Sequence, residues 1–325
     1  RRPCGMTTEF VKSLREISGQ FDGFILDLWG VLHDGSYAYP GAIDALKNLR
    51  KENKKIILLS NAPRRIEKAQ AVLDELGFSR DLYDHIITSG QVTYDYLRDQ
   101  VSGFGFQEEG KTKPDTRHPT PYYYIGPEKD EDLLAGLENY KITDNPAEAK
   151  FALATGFDAP GEAFATKQKQ IDACLKNNLQ LVCANPDRVV VKQDGSVWLC
   201  AGLIYDYYLE NGGKAIIFGK PYRQVYDRCL ELFGCSVSDA QCSEKNTEHR
   251  APSTEHLRIC AIGDSIHTDV AGANNAGIYS VLCAGGILAK DLQIKFGEMP
   301  SKENLKILCD KDGAVPRAVV PAFTW

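Results

Sequence analysis

Phe24 to Gly35, FILDLWGVLHDG, decides how the rest of the chain is read. Gly23 to Asp27 is a short apolar run that ends on a carboxylate, with Gly30 close behind. Such a run suits a strand buried on both faces of a parallel sheet. Gly30 lets the backbone turn tightly and come close to a ligand. In an open α/β sheet, Asp27 would then lie in the crevice outside the carboxyl ends of the strands, where ligands bind. Taken alone, the stretch fits an ordinary strand-end Asp equally well.

Three later stretches share its form. Ile56 to Arg65, IILLSNAPRR, is an apolar run ending in Ser60 and Asn61, with Pro63 following. Ser or Asn before Pro marks a helix start, whose forward-pointing N–H groups attract anions. Ala215 to Pro221, AIIFGKP, places Lys220 just after another strand-like run. Ile259 to Gly277, ICAIGDSIHTDVAGANNAG, brings Asp264 and then Asp269 to the end of a fourth. Two carboxylates on such a loop suit a hard cation such as Mg²⁺, which prefers oxygen ligands. Each feature has a plain reading too: an N-cap, a solvated lysine, a polar loop.

Together and in this order, the four stretches resemble the motifs of the haloacid dehalogenase superfamily of phosphotransferases. SNAPR, TSG (Thr88 to Gly90), YIG (Tyr124 to Gly126), FGKP and the wide gap before Lys220 resemble its class IIA capped branch, which holds phosphoglycolate, pyridoxal phosphate and nucleotide phosphatases. The resemblance covers nearly the whole chain. It implies that Asp27 is a nucleophile forming an aspartyl-phosphate. It also implies Mg²⁺ held by Asp27, the backbone carbonyl of Trp29, Asp264 and Asp269. Gly30, Ser60, Asn61 and Lys220 would surround the substrate phosphate, with Lys220 also catalytic. The implied partner is a small phosphorylated metabolite.

Trp29 departs from the pattern. The family carries a second Asp there, as general acid and base, and an indole N–H cannot protonate a leaving alkoxide. Three readings follow. The chain is a phosphatase for good leaving groups, or a slow one helped by a cap residue, a water or His33. It is a non-catalytic phosphometabolite-binding protein. Or Asp27-x-Trp29-Gly30 echoes the Asp-x-Tyr-Gly of true haloacid dehalogenases, whose halide needs no proton. Asp264 and Asp269 weigh against the last, since carbon chemistry needs no Mg²⁺.

The rest of the chain sets the frame. Its 325 residues suffice for one or two domains, and a net charge of −6 without a long basic block disfavours nucleic acid and anionic membranes. No apolar run is long enough to span a bilayer. Ten cysteines include no Cys-x-x-Cys pair, which points to a reducing compartment, the cytoplasm, and away from structural zinc. The chain opens on Arg1-Arg2-Pro3-Cys4 rather than Met, so it is read as processed or truncated, and a removed leader would leave no trace.

Strand-like runs alternate with helical ones, predicting an α/β fold: a doubly wound parallel-sheet, Rossmann-like core with an inserted α/β cap domain. The expected boundaries are residues 1–118 for the first part of the core, 119–213 for the cap and 214–325 for the rest of the core. Phe10, Val11, Leu14 and Ile17 predict an amphipathic helix from Thr7 to Ser18. Residues 131–137 predict another. The stretches 102–120 and 236–255 read as polar loops, and His249 and His256 as solvated. The apolar tail from Val319 to Trp325 is expected to pack on its own surface or a partner's, so a homodimer stays open.

Overall fold

The structure, a computed structural model, describes residues 8–102, 119–191, 196–235 and 257–325. The polar stretch 236–255, with His249, and most of the loop 102–120 lie outside the described residues, as does His256. The chain divides into two compact units. One holds residues 1–60, 70–87 and 220–325, the other 61–69 and 88–219.

In chain order the chain opens with β1 (Glu9–Phe10), β2 (Gly23–Leu26), α1 (Ala42–Lys51), β3 (Lys55–Ser60), α2 (Ile66–Glu75) and β4 (His85–Thr88). The chain then forms α3 (Ser89–Ser102), β5 (Thr120–Ile125), β6 (Tyr140–Ile142), β7 (Phe151–Ala154), α4 (Ala165–Lys176), β8 (Gln180–Cys183), β9 (Val189–Val191), β10 (Val197–Leu199), α5 (Ala201–Glu210) and β11 (Lys214–Ile217). It closes with α6 (Arg223–Phe233), β12 (Ile259–Gly263), α7 (Ala271–Asn275), β13 (Tyr279–Cys283), α8 (Lys302–Asp312) and β14 (Ala318–Val320).

The first unit is built on a seven-stranded sheet of order β1-β14-β13-β12-β2-β3-β4. The pairings from β1 across to β3 are parallel. Strands covered on both faces must be apolar throughout, and β2 and β12 are buried at every residue. Helix α1 buries Ala42, Ala45, Leu46 and Leu49, one stripe at helical spacing. Because β2 lies between β12 and β3, three chain segments leave the sheet side by side, just where Asp27, Ser60 and Asp264 stand.

The second unit has its own five-stranded sheet, β11-β8-β7-β5-β6, with all four pairings parallel. An antiparallel ribbon, β9 with β10, follows β8. Tyr122 stacks on Phe151 with ring centres 5.4 Å apart, and both join Leu133, Leu153 and Val182 in its core.

Three expectations need correction. The N-terminal helix is absent: Glu9 and Phe10 pair with Ala318 and Val319, and Leu14–Glu16 and Ser18–Gln20 form single 3₁₀ turns. Val11, Leu14 and Ile17 are buried nonetheless, which is why the spacing imitates a helix. The helix expected at 131–137 is a short 3₁₀ segment, Glu128–Leu134. Strand β11, placed by sequence with the second part of the core, pairs instead with β8 of the second unit. The tail packs on its own chain: Val319 and Val320 lie in β14, between β1 and β13, and Ala322 and Phe323 are buried. Among the described residues no helix is long and apolar enough to cross a membrane.

Candidate active site

At the carboxyl ends of β2 and β12 the first unit gathers Asp27, Asp264 and Asp269, all buried, with a carboxylate oxygen of each within 4.8 Å of the others. Lys220 joins two of them. Its Nζ lies 2.6 Å from Asp27 Oδ1 and 2.7 Å from Asp269 Oδ1. Asp264 Oδ2 accepts the Ile287 backbone N–H at 2.7 Å. Asp269 Oδ2 accepts the Ser265 N–H at 3.2 Å and the Thr268 hydroxyl at 3.4 Å, while the Tyr226 hydroxyl donates to the Asp269 carbonyl at 3.2 Å.

Three buried carboxylates beside one ammonium leave net negative charge in a low-dielectric setting. Burial, then the charges of Asp27 and Asp269, push the Asp264 carboxyl well above its ordinary value. Burial works against the Lys220 ammonium, but Asp269 and Asp27 outweigh it and hold its pKa well above the usual lysine range. A divalent cation would offset the remaining charge. The all-oxygen donor set is the kind that Mg²⁺ takes, so the residues fit the ion.

Gly30 works here by what it lacks. Its φ is +79°, and a Cβ would stand 1.7 Å from Asp264 Oδ2. Its N–H donates to the His33 carbonyl at 2.9 Å, so its part in the site is steric. Trp29 is half-buried and turns its ring onto Gly35, where φ is +88° and a Cβ would come within 2.4 Å of the indole. His33 meets the indole edge-on at 6.0 Å and accepts the Gly35 N–H on Nδ1 at 2.9 Å. Burial lowers the His33 pKa to about 4 against the opposing charge of Asp34. His33 is therefore neutral near pH 7, with its Nδ1 lone pair engaged, and is no ready proton donor.

Ser60 is buried at the last position of β3, beside β2. Asn61 belongs to the second unit. There its Nδ2 donates to Asp187 Oδ1 at 2.8 Å, and its carbonyl lies 2.6 Å from the Ser89 hydroxyl.

Sequence reasoning missed the Ile287 N–H, Tyr226, Ser265 and Thr268. The Gly285-Gly286 pair that ends β13 is a signal for a tight approach of the Ile287 backbone. Tyr226 carries only the helical spacing of α6, which any core residue shares.

A family profile described as haloacid dehalogenase-like hydrolase matches residues 24–137, and a HAD-hydrolase-like profile matches residues 217–302. Human chronophin is 25% identical over 284 residues, spanning 85% of each chain. Sugar-phosphatase AraL of Bacillus subtilis is 24% identical, over 81% of this chain and 83% of its own. A haloacid dehalogenase-like family hydrolase of known structure from Brucella suis superposes with a TM-score of 0.72 at 26% identity, covering 97% of this chain and all of its own.

Proposed function

Because the chain belongs to the haloacid dehalogenase superfamily, on its capped phosphatase branch, we propose that it is a Mg²⁺-dependent phosphatase-like hydrolase of a small phosphorylated metabolite. The observation that carries this reading is the cluster of Asp27, Asp264 and Asp269 joined by Lys220 at the ends of adjacent parallel strands.

In this reading Asp27, the backbone carbonyl of Trp29, Asp264 and Asp269 would hold Mg²⁺. The ion would neutralise charge between an anionic nucleophile and an anionic phosphate. Lys220 fixes the Asp27 carboxylate. An Asp27 oxygen bonds to phosphorus, and the ester P–O bond breaks with its electron pair leaving on the departing oxygen. Water then attacks the aspartyl-phosphate, releasing inorganic phosphate and restoring the carboxylate. Ser60, Asn61 and Lys220 would steady the phosphoryl oxygens.

Trp29 stands where the resemblance places the general acid, and His33 beside it is neutral near pH 7. The reading therefore favours leaving groups that depart without a proton, such as aryl and acyl phosphates. Trp29 also favours a second reading, a protein that binds phosphorylated metabolites without turning them over. Among the described residues, seven buried free cysteine thiols support a reducing compartment such as the cytoplasm. Phosphate release from an activated aryl phosphate in Mg²⁺ tests the proposal, with Asp27→Asn as control. Turnover above the control supports the phosphatase. Metabolite binding without it supports the binding protein.

A further inference from the structure

Asn61 is proposed above to hold a phosphoryl oxygen, but an amide can do so only if its donor and acceptor ends are told apart. An asparagine amide rotated by 180° exchanges the two. An ionised carboxylate only accepts hydrogen bonds, so the one 2.8 Å from Asn61 Nδ2 settles the orientation. The other end is hemmed in as well. Gly219 has φ of +126°, and a Cβ there would stand 2.7 Å from Asn61 Oδ1.

The carboxylate belongs to Asp187, in the turn after β8. Its own N–H donates to Asn185 Oδ1 at 3.0 Å, and its carbonyl accepts the Gly202 N–H at 2.9 Å. The Ser89 hydroxyl lies 2.6 Å from the carbonyls of both Asn61 and Ala184, tying the Asn61 segment to the end of the same strand. Asp187 is thus held by backbone bonds on either side before its side chain meets the amide. A preset partner of this kind lowers the cost of orienting a binding group.

We infer that Asp187 is a positioning residue: it fixes which end of the Asn61 amide is the donor, and acts on phosphate through Asn61. The inference rests on the phosphate-site reading of Asn61. Its test is inorganic phosphate binding in Mg²⁺, followed by calorimetry on the full chain, after thermal melts show that each variant folds. Asp187→Ala and Asn61→Ala should each weaken phosphate about tenfold. The double variant should be no weaker than either single one, because both remove the same interaction. Asp187→Asn should restore affinity near the wild type, since its carbonyl oxygen can accept the same bond. In turnover of an aryl phosphate, Asp187→Ala should raise KM more than it lowers kcat.

Wild-type affinity in Asp187→Ala would overturn the inference, as would losses that multiply in the double variant. So would a wild type that binds no phosphate. If phosphate binds but turnover never exceeds that of Asp27→Asn, the phosphatase reading fails alone and the binding ratios still decide this one.

Discussion

Gly30→Ala replaces one hydrogen with a methyl and should disable the cation site while leaving most of the fold. The added Cβ would stand 1.7 Å from Asp264 Oδ2, where real Cβ contacts stay beyond 3.0 Å. The Asp264 carboxylate must therefore retreat by roughly 1 Å, against the ±0.2 Å that metal–ligand distances tolerate. The same retreat strains its 2.7 Å bond from the Ile287 N–H. Alanine at a left-handed φ adds about 1–2 kcal/mol of backbone cost. Denaturant unfolding should show a loss of that order, with the variant still cooperative. Mg²⁺ titration by calorimetry should show binding lost, and with it the rise in melting temperature that Mg²⁺ gives the wild type. Equal Mg²⁺ affinity in a folded variant would mean that the 28–35 loop gives way instead of Asp264, and would refute the reasoning.

Other outcomes follow from the same site. Sugar phosphates should turn over ~10²–10⁴-fold more slowly than an activated aryl phosphate, the share assigned to general acid catalysis, and Trp29→Asp should narrow that gap if the loop still folds. Parity between the two substrate types in the wild type would contradict it. Lys220→Met leaves three buried carboxylates without their fixed counter-charge, so the metal-free protein should lose about 3–5 kcal/mol of stability at pH 7; an unchanged unfolding midpoint would count against the ion pairs. His33→Asn keeps an acceptor for the Gly35 N–H but cannot titrate. The folded-state pKa of His33 is depressed to about 4 from 6.5, so its contribution is full above pH 6.5 and is lost as pH falls toward 4. The wild type should therefore lose about 3 kcal/mol more than His33→Asn across that window, measured by urea unfolding at each pH; identical slopes would remove His33 from the account.

The parts of this fold that could be read in advance are those where burial itself writes the pattern. Strands β2, β3 and β12 are covered on both faces, so each is a continuous apolar run, and the polar residue that breaks the run marks the sheet edge. Asp27, Ser60 and Asp264 are legible for that reason. What could not be read depends on partners far along the chain. Glu9 and Phe10 look helical with their neighbours and become a strand only because Ala318 and Val319 are beside them. Nothing local to Lys214–Ile217 says which of two sheets will take it. The Ile287 N–H is chosen by distance in space, which no spacing along the chain expresses.

The core sheet is also assembled from pieces that are made far apart. Arg258 bonds to Asp22 across 236 residues, and Thr8 to Pro316 across 308. Pairings this remote slow folding, because the chain must be closed into a large loop before any contact stabilises it. The thermodynamic cost of that length is mild, since each doubling of a loop costs only about 0.6 kcal/mol. The second unit shortens the search. Once folded, it holds Asn61 within contact of Gly219, so Ser60 and Lys220, the core residues next along the chain, are brought close. For the core, the insertion then acts as a clasp rather than as a long tether.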